Sequence, residues 1–131
     1  RLDFIVVYPN LALSTGKVYA ASQLPNAPET AVELIQLLET GRFSEAGKQM
    51  MNRLSDPAKK LAPQIGEILE SLWQVGLRTC QLTGSGSACF AVAGSRREAI
   101  RRSAELRALL EPGAIVMPAR STHVPALVNL T

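Results

Sequence analysis

Cysteine, histidine and aromatic residues are scarce in this sequence, and each scarcity excludes something. Two cysteines in 131 residues are too few for a disulfide framework, and a chain of this length does not need one. The single histidine is His123, and no second ligand pair accompanies Cys80 and Cys89, so no metal centre is expected. No apolar run approaches the roughly 18 residues of a membrane span, and no basic-then-apolar leader opens the chain. A cytoplasmic protein with no membrane partner is therefore expected. Charged residues make up only 19% of the chain against 47% hydrophobic ones, which excludes disorder and implies one domain with a real core. The net charge of +3 is compatible with an anionic ligand but does not by itself indicate one. The first residue is Arg1, not Met, and it runs directly into strand-like sequence, so the chain reads as a piece of a longer protein with an exposed apolar patch.

What is present is aliphatic and strongly patterned. Asp3–Tyr8 is β-branched and aromatic, which predicts a buried strand ended by Pro9 and Asn10. Ser14 and Thr15 then open a short helical turn. Residues 23–28, with two prolines, form a loop. Over 29–40, Ala31, Leu34, Ile35 and Leu38 recur at helical spacing, with Gly41 as the stop. A shorter helix from Ser44 would bury Ala46, Met50 and Leu54. The next helix opens with Asp56 as N-cap and Pro57 in first position, and Pro63 interrupts it. Ile65, Ile68, Leu69, Leu72 and Val75 then mark one apolar face, ended by Gly76. Strands follow over 78–82 and 88–92, and Ser95 with Glu98 forms a capping box for a last long helix. A final strand covers 114–117, before Pro118. Strand, helices, strand, strand, helix, strand is the order of a ferredoxin-like split β-α-β sandwich: an α+β fold with a four-stranded antiparallel sheet and helices on one face.

Two segments could carry chemistry. Leu82-Thr83-Gly84-Ser85-Gly86-Ser87-Ala88-Cys89-Phe90 alternates glycine with hydroxyl residues between two strands. Gly84 and Gly86 permit a tight backbone, so successive N–H groups and the hydroxyls of Thr83, Ser85 and Ser87 could converge on an anion. The plainer alternative is a bulged hairpin turn. It is not a Walker A loop, because no Gly-Lys-Ser/Thr follows. The second segment runs from Pro9 to Tyr19. It places Ser14 and Thr15 at a helix start, where free N–H groups favour a negative group, and Tyr19 one turn on. Taken alone, an ordinary N-cap with a core aromatic is the better explanation.

Together with Asn52-x-Leu54 ahead of a proline-containing helix, these segments resemble, in order, the C-terminal half of the GHMP superfamily of small-molecule kinases. Within it they are most similar to the members that act on a cytidylyl methylerythritol. The resemblance covers nearly the whole chain and weakens after Pro118. It implies that residues 1–131 are a C-terminal domain, partnered by an N-terminal domain that binds ATP and Mg and carries the catalytic lysine and aspartate. Family members transfer the γ-phosphoryl of ATP to the 2-hydroxyl of the methylerythritol unit. Their ATP-cradling loop, Pro-x-x-x-Gly-Leu-Gly-Gly-Gly-Ser-Ser, does not occur in this sequence. Lys17, Lys48, Lys59, Lys60, Asp3 and Asp56 match neither catalytic residue. No residue here is therefore assigned a catalytic role, and the chain alone is expected to be inactive. The resemblance places Tyr19 against the cytosine ring, Thr15 beside that pocket, and residues 83–87 near the phosphates.

Other signals point to structure. Arg96, Arg97, Arg101, Arg102 and Arg107 crowd one helix, but Glu98 with Arg102 and Arg101 with Glu105 are spaced to neutralise one another. Phe90 stands alone on its strand, unlike the paired aromatics of an RNA-binding sheet, so no nucleic-acid partner is expected. Cys80 and Cys89 read as free, partly buried thiols, His123 as an exposed tail residue, and Trp73 as packing at the core edge. Two alternatives remain at this point. One is another superfamily kinase, such as a homoserine- or mevalonate-type enzyme; the other is a stand-alone ferredoxin-like ligand-binding module.

Overall fold

A computed structural model describes residues 1–23, 27 and 29–122. Most of the expected 23–28 loop and His123 lie outside them. The elements are β1 (Asp3–Tyr8), α1 (Thr15–Ala20), α2 (Val32–Glu39), α3 (Phe43–Gln49), α4 (Ser55–Leu61), α5 (Gln64–Gln74), β2 (Cys80–Leu82), β3 (Cys89–Ala93), α6 (Arg96–Leu109) and β4 (Ile115–Arg120). The strands form one sheet in the order β2-β3-β1-β4, every neighbour antiparallel. The first strand of each half, β1 and β3, pairs at the centre, as the split β-α-β order requires.

Alternation along the strands decides which side chains enter the core. Ile5, Val7, Leu82, Cys89, Ala91, Ala93 and Val116 are buried in one cluster with Val18 of α1, Ala58 of α4, Ile65 and Leu72 of α5, and Leu106 of α6. On the opposite face Phe4 and Phe90 meet edge to face, with ring centroids 6.3 Å apart. There, Tyr8 pairs with Ile115 and Val6 with Met117, and Tyr8, Ile115 and Met117 are exposed. This is an apolar strip of the expected kind. The described chain ends are tied by two bonds, Leu2 N–H to Ser121 Oγ at 2.7 Å and Ser121 N–H to Leu2 O at 2.8 Å. A two-pronged Arg120–Asp3 ion pair, at 2.8 and 3.1 Å, lies beside them.

Several local expectations need correction. In α2 it is Leu37 that is buried, while Ile35 is 51% exposed and Ala31 precedes the helix. Leu34 and Leu38 are half-buried as the spacing predicts, but packing against α3 buries Leu37 in place of Ile35. Helix α3 ends at Gln49, so Met50 and Leu54 are half-buried in the connection that follows. Helix α4 starts one residue before Asp56, and the side chain that serves its start is Asn52, whose Oδ1 accepts from Leu54 N–H at 3.0 Å. β4 runs through Pro118, which an edge strand tolerates because the missing N–H costs no ladder bond on its open side. Trp73 is 47% exposed and carries the Arg78 guanidinium 4.4 Å above its ring. Ser95 caps α6 as expected, its Oγ accepting from Glu98 N–H at 3.1 Å, but Glu98 reaches back to Gly94 N–H at 2.8 Å instead of to Ser95. Arg102 takes both carboxylates, Glu98 at 3.8 Å and Glu105 at 2.8 Å. Among the described residues Arg101 makes no ion pair.

Candidate functional site

The two segments singled out in the sequence meet. The β1–α1 connection passes under the β2–β3 loop, and three side-chain contacts join them. Ser87, only 5% exposed, donates its hydroxyl to Leu11 O at 2.6 Å. Thr15 Oγ1 and Ser85 Oγ share a hydrogen bond at 3.1 Å. Gly86 sits against Leu13 and Leu82, so that a Cβ there would lie 3.2 and 3.1 Å from their Cδ atoms.

The loop closes on itself with two backbone bonds, Thr83 N–H to Ala88 O and Gly86 N–H to Thr83 O, both 2.9 Å. Among the described residues the N–H groups of Gly84, Ser85 and Ser87 have no protein acceptor. Gly84 and Gly86 hold φ values of +52° and +91°, which glycine adopts without the steric cost of a side chain. A Cβ at Gly84 would meet nothing within 4 Å, so this corner of the loop faces open space while Gly86 forms its packed floor. Turn geometry and free backbone donors coexist in this segment. It is a hairpin turn with glycine used for geometry, and it also presents unsatisfied donors to an open side.

The second segment divides in the same way. Ser14 is the N-cap of α1, its Oγ accepting from Lys17 N–H at 3.3 Å. Tyr19, in contrast, is no core aromatic: it is 58% exposed, and Val18 is the residue that α1 buries. Thr15 and Tyr19 stand four residues apart, on the helix side that meets the loop. An open cleft of about 540 Å³ lies at the start of α1, lined by Ala12, Leu13, Ser14, Lys17 and Leu61, and includes neither Thr15, Tyr19 nor a residue of the glycine loop. A groove of about 490 Å³ on the other side of the loop includes Asn52, Arg53, Gln81, Gly84 and Phe90. A cleft of about 690 Å³ runs from Ala21 and Ser22 at the end of α1 past Asn52 to Arg53, Lys59, Lys60 and Trp73, and none of its lining residues belongs to the glycine loop.

Asn52 was a motif residue without a role in the sequence. Its Nδ2 donates to Leu82 O at 3.0 Å and to Gly84 O at 2.7 Å, so the α3–α4 connection grips the loop from the side opposite α1. The local signal was an Asx residue three positions ahead of a helix start, which locates a turn but not a partner 32 residues away. Leu11 and Leu13, which underlie the loop through a backbone carbonyl and a methyl group, left no signal beyond hydrophobicity.

The two cysteines add no nucleophile. Cys80 pairs with Ala91 and Cys89 with Leu82, so they are not directly opposed, and both are free. Burial pushes the Cys80 thiol up to about 11 and the Cys89 thiol up to about 12, which leaves both protonated at neutral pH. Among the described residues no group of three His, Cys, Asp or Glu side chains could hold a metal ion. No helix among them is long and apolar enough to cross a membrane.

Comparison with known proteins gives a consistent picture. The family model described as GHMP kinases C terminal matches residues 34–112. Over 129 residues the chain is 37% identical to the 4-diphosphocytidyl-2-C-methyl-D-erythritol kinase of Rhodopirellula baltica, covering 98% of this chain and 39% of that protein. It is 38% identical to the kinase of the same name from Methylobacterium radiotolerans, over 86% of this chain and 36% of that one. The chain thus spans well under half the length of these relatives. Among solved structures, a 4-(cytidine 5'-diphospho)-2C-methyl-D-erythritol kinase superposes with a TM-score of 0.72 at 30% identity, over 89% of this chain and 42% of that one. A homoserine kinase from Cytophaga hutchinsonii reaches 0.65 at 16% identity, over 91% and 41%, a likeness of fold alone.

Proposed function

Since this chain belongs to the GHMP kinases C terminal family, we propose that it is the C-terminal domain of an ATP-dependent kinase of isoprenoid biosynthesis. Its substrate would be 4-diphosphocytidyl-2-C-methyl-D-erythritol. The reaction moves the γ-phosphoryl of ATP to the 2-hydroxyl of the methylerythritol unit: a new P–O bond forms, the β–γ bridging bond breaks with ADP as the leaving group, and the hydroxyl proton passes to the catalytic aspartate. The lysine and aspartate that serve this step belong to an N-terminal domain outside these 131 residues, which also binds most of the ATP. Mg is assigned, together with the ATP phosphates it accompanies, to that other domain, and no step is routed through it here.

The observation that carries this reading is the Thr15–Ser85 bond at 3.1 Å. It brings the hydroxyl-led start of α1 and the glycine loop to one edge of the fold, as a shared substrate cleft requires. In that cleft Tyr19, exposed and one turn from Thr15, stacks on the cytosine ring, a contact with a contribution of about 1–3 kcal/mol. Thr15 and Thr83 to Ser87 border the phosphates, with the N–H groups of Gly84 and Ser85 turned to negative charge. Homologues bearing the same name over the same portion of chain support this choice above another superfamily kinase.

The test is a phosphoryl-transfer assay of the full-length protein with cytidylyl methylerythritol, homoserine and mevalonate as acceptors. Turnover of the first alone is expected, and the 131-residue chain by itself should give none. Tyr19→Ala should raise KM for the cytidylyl acceptor roughly 5- to 150-fold and leave that for ATP within twofold. Equal effects on both would remove the stacking role, and phosphorylation of homoserine instead would replace the substrate assignment.

A further inference from the structure

Asn52 makes three hydrogen bonds with one side chain, and the kinase reading uses none of them. Its two amide hydrogens go to Leu82 O at 3.0 Å and Gly84 O at 2.7 Å, while its Oδ1 accepts from Leu54 N–H at 3.0 Å. Those two carbonyls bracket Thr83, the residue at which the strand ladder gives way to the loop. On the opposite side the loop is held by hydroxyls, Ser85 to Thr15 and Ser87 to Leu11 O.

We infer that Asn52 is the positioning residue of the glycine loop. It clamps the loop's carbonyl side to the α3–α4 connection so that its free N–H groups and hydroxyls keep a fixed presentation towards α1. Only a short amide does this. Aspartate keeps the oxygen for Leu54 N–H but turns a second oxygen, with no hydrogen when ionised, against two carbonyls. Serine offers one donor for two acceptors, and glutamine is a methylene longer. Gly84 needs such an external hold, because a glycine at positive φ with open space around it has nothing of its own to restrain it. The catalytic consequence rests on the kinase reading; the structural one does not.

Two variants of the full-length protein separate the two ends of the side chain. Asn52→Asp loses the bonds to the loop and keeps the one to Leu54; Asn52→Ala loses all three. If Asn52 positions the loop, both variants speed hydrogen exchange of the amides of residues 83–88. Both also lower kcat about 30-fold. If Asn52 merely starts α4, Asn52→Asp matches wild type in exchange and kinetics while Asn52→Ala does not, and the inference is overturned. Should wild-type protein fail to phosphorylate the cytidylyl acceptor, the kinase reading falls, and loop exchange in Asn52→Asp still decides the role of Asn52.

Discussion

Gly86 concentrates the physics of the site in one residue. Its φ of +91° disfavours any side chain, and a Cβ would stand 3.1 Å from Leu82 Cδ1 and 3.2 Å from Leu13 Cδ2. A valine adds β-branching to both problems, for a loss of about 2–5 kcal/mol. Gly86→Val in the full-length protein is therefore expected to abolish phosphoryl transfer and lower the melting temperature; near-normal kcat/KM would show that the loop is remote from the chemistry. The importance of this glycine was legible in the sequence, because glycine alternating with serine between two strands marks a tight bend that no bulkier residue could make. Asn52 was not legible in the same way: an asparagine before a helix announces a local turn, and nothing local announces a carbonyl on a distant hairpin. Trp73 shows the opposite failure. Large aromatic area suggested the core edge, but the ring lies at the surface because an arginine five residues on covers it.

Among the helices, two glycines with the same intrinsic penalty have opposite meanings. Gly47, inside α3, lies where Arg78 O passes, and a Cβ there would come within 2.7 Å of that oxygen and 3.2 Å of Thr79 Cα. The hydroxyl of Thr79 donates to Phe43 O at the same contact, so α3 is docked on the approach to β2 backbone to backbone. Gly66, inside α5, has nothing within 4 Å of its Cβ position. Alanine gains about 1 kcal/mol of helix propensity at either site, but overpacking against a backbone costs about 1–3 kcal/mol. Thermal melts should therefore show Gly66→Ala stabilised and Gly47→Ala destabilised; a rise in both would mean that α3 can slide away from β2. Periodicity located α5, which buries one clear stripe, and the capping box located the start of α6. In α2 spacing placed Leu34 and Leu38 inward, where they are half-buried, but named Ile35 where Leu37 is buried, so that neighbours and not spacing settle the last position.

At the scale of the whole molecule, element order predicted the topology, because a strand separated from the next by helices, and then a strand pair, can close into one antiparallel sheet in few ways. It did not predict how the ends are locked. The Arg120 guanidinium beside Asp3 holds its carboxyl below the usual carboxylate range, the hydrogen bond between them being the main cause. A group whose native value is depressed stabilises above its unfolded value, near 4, and that stabilisation drains away as pH falls through the native one. Asp3→Asn should accordingly melt below wild type at pH 7, with the difference shrinking below about pH 4; a gap independent of pH would mean that Arg120 contributes nothing through charge.

The pairing of Leu2 with Ser121 has a mechanical consequence. Both residues sit at the same extremity of an antiparallel ribbon, β1 beside β4. Traction applied there loads the cross-strand bonds singly and in succession, peeling the border strand away like a zip. The same pull between Leu2 and Ile115, at opposite ends of the two strands, would instead load the ladder in shear with its bonds in parallel, so this domain is soft along one axis and stiff along another.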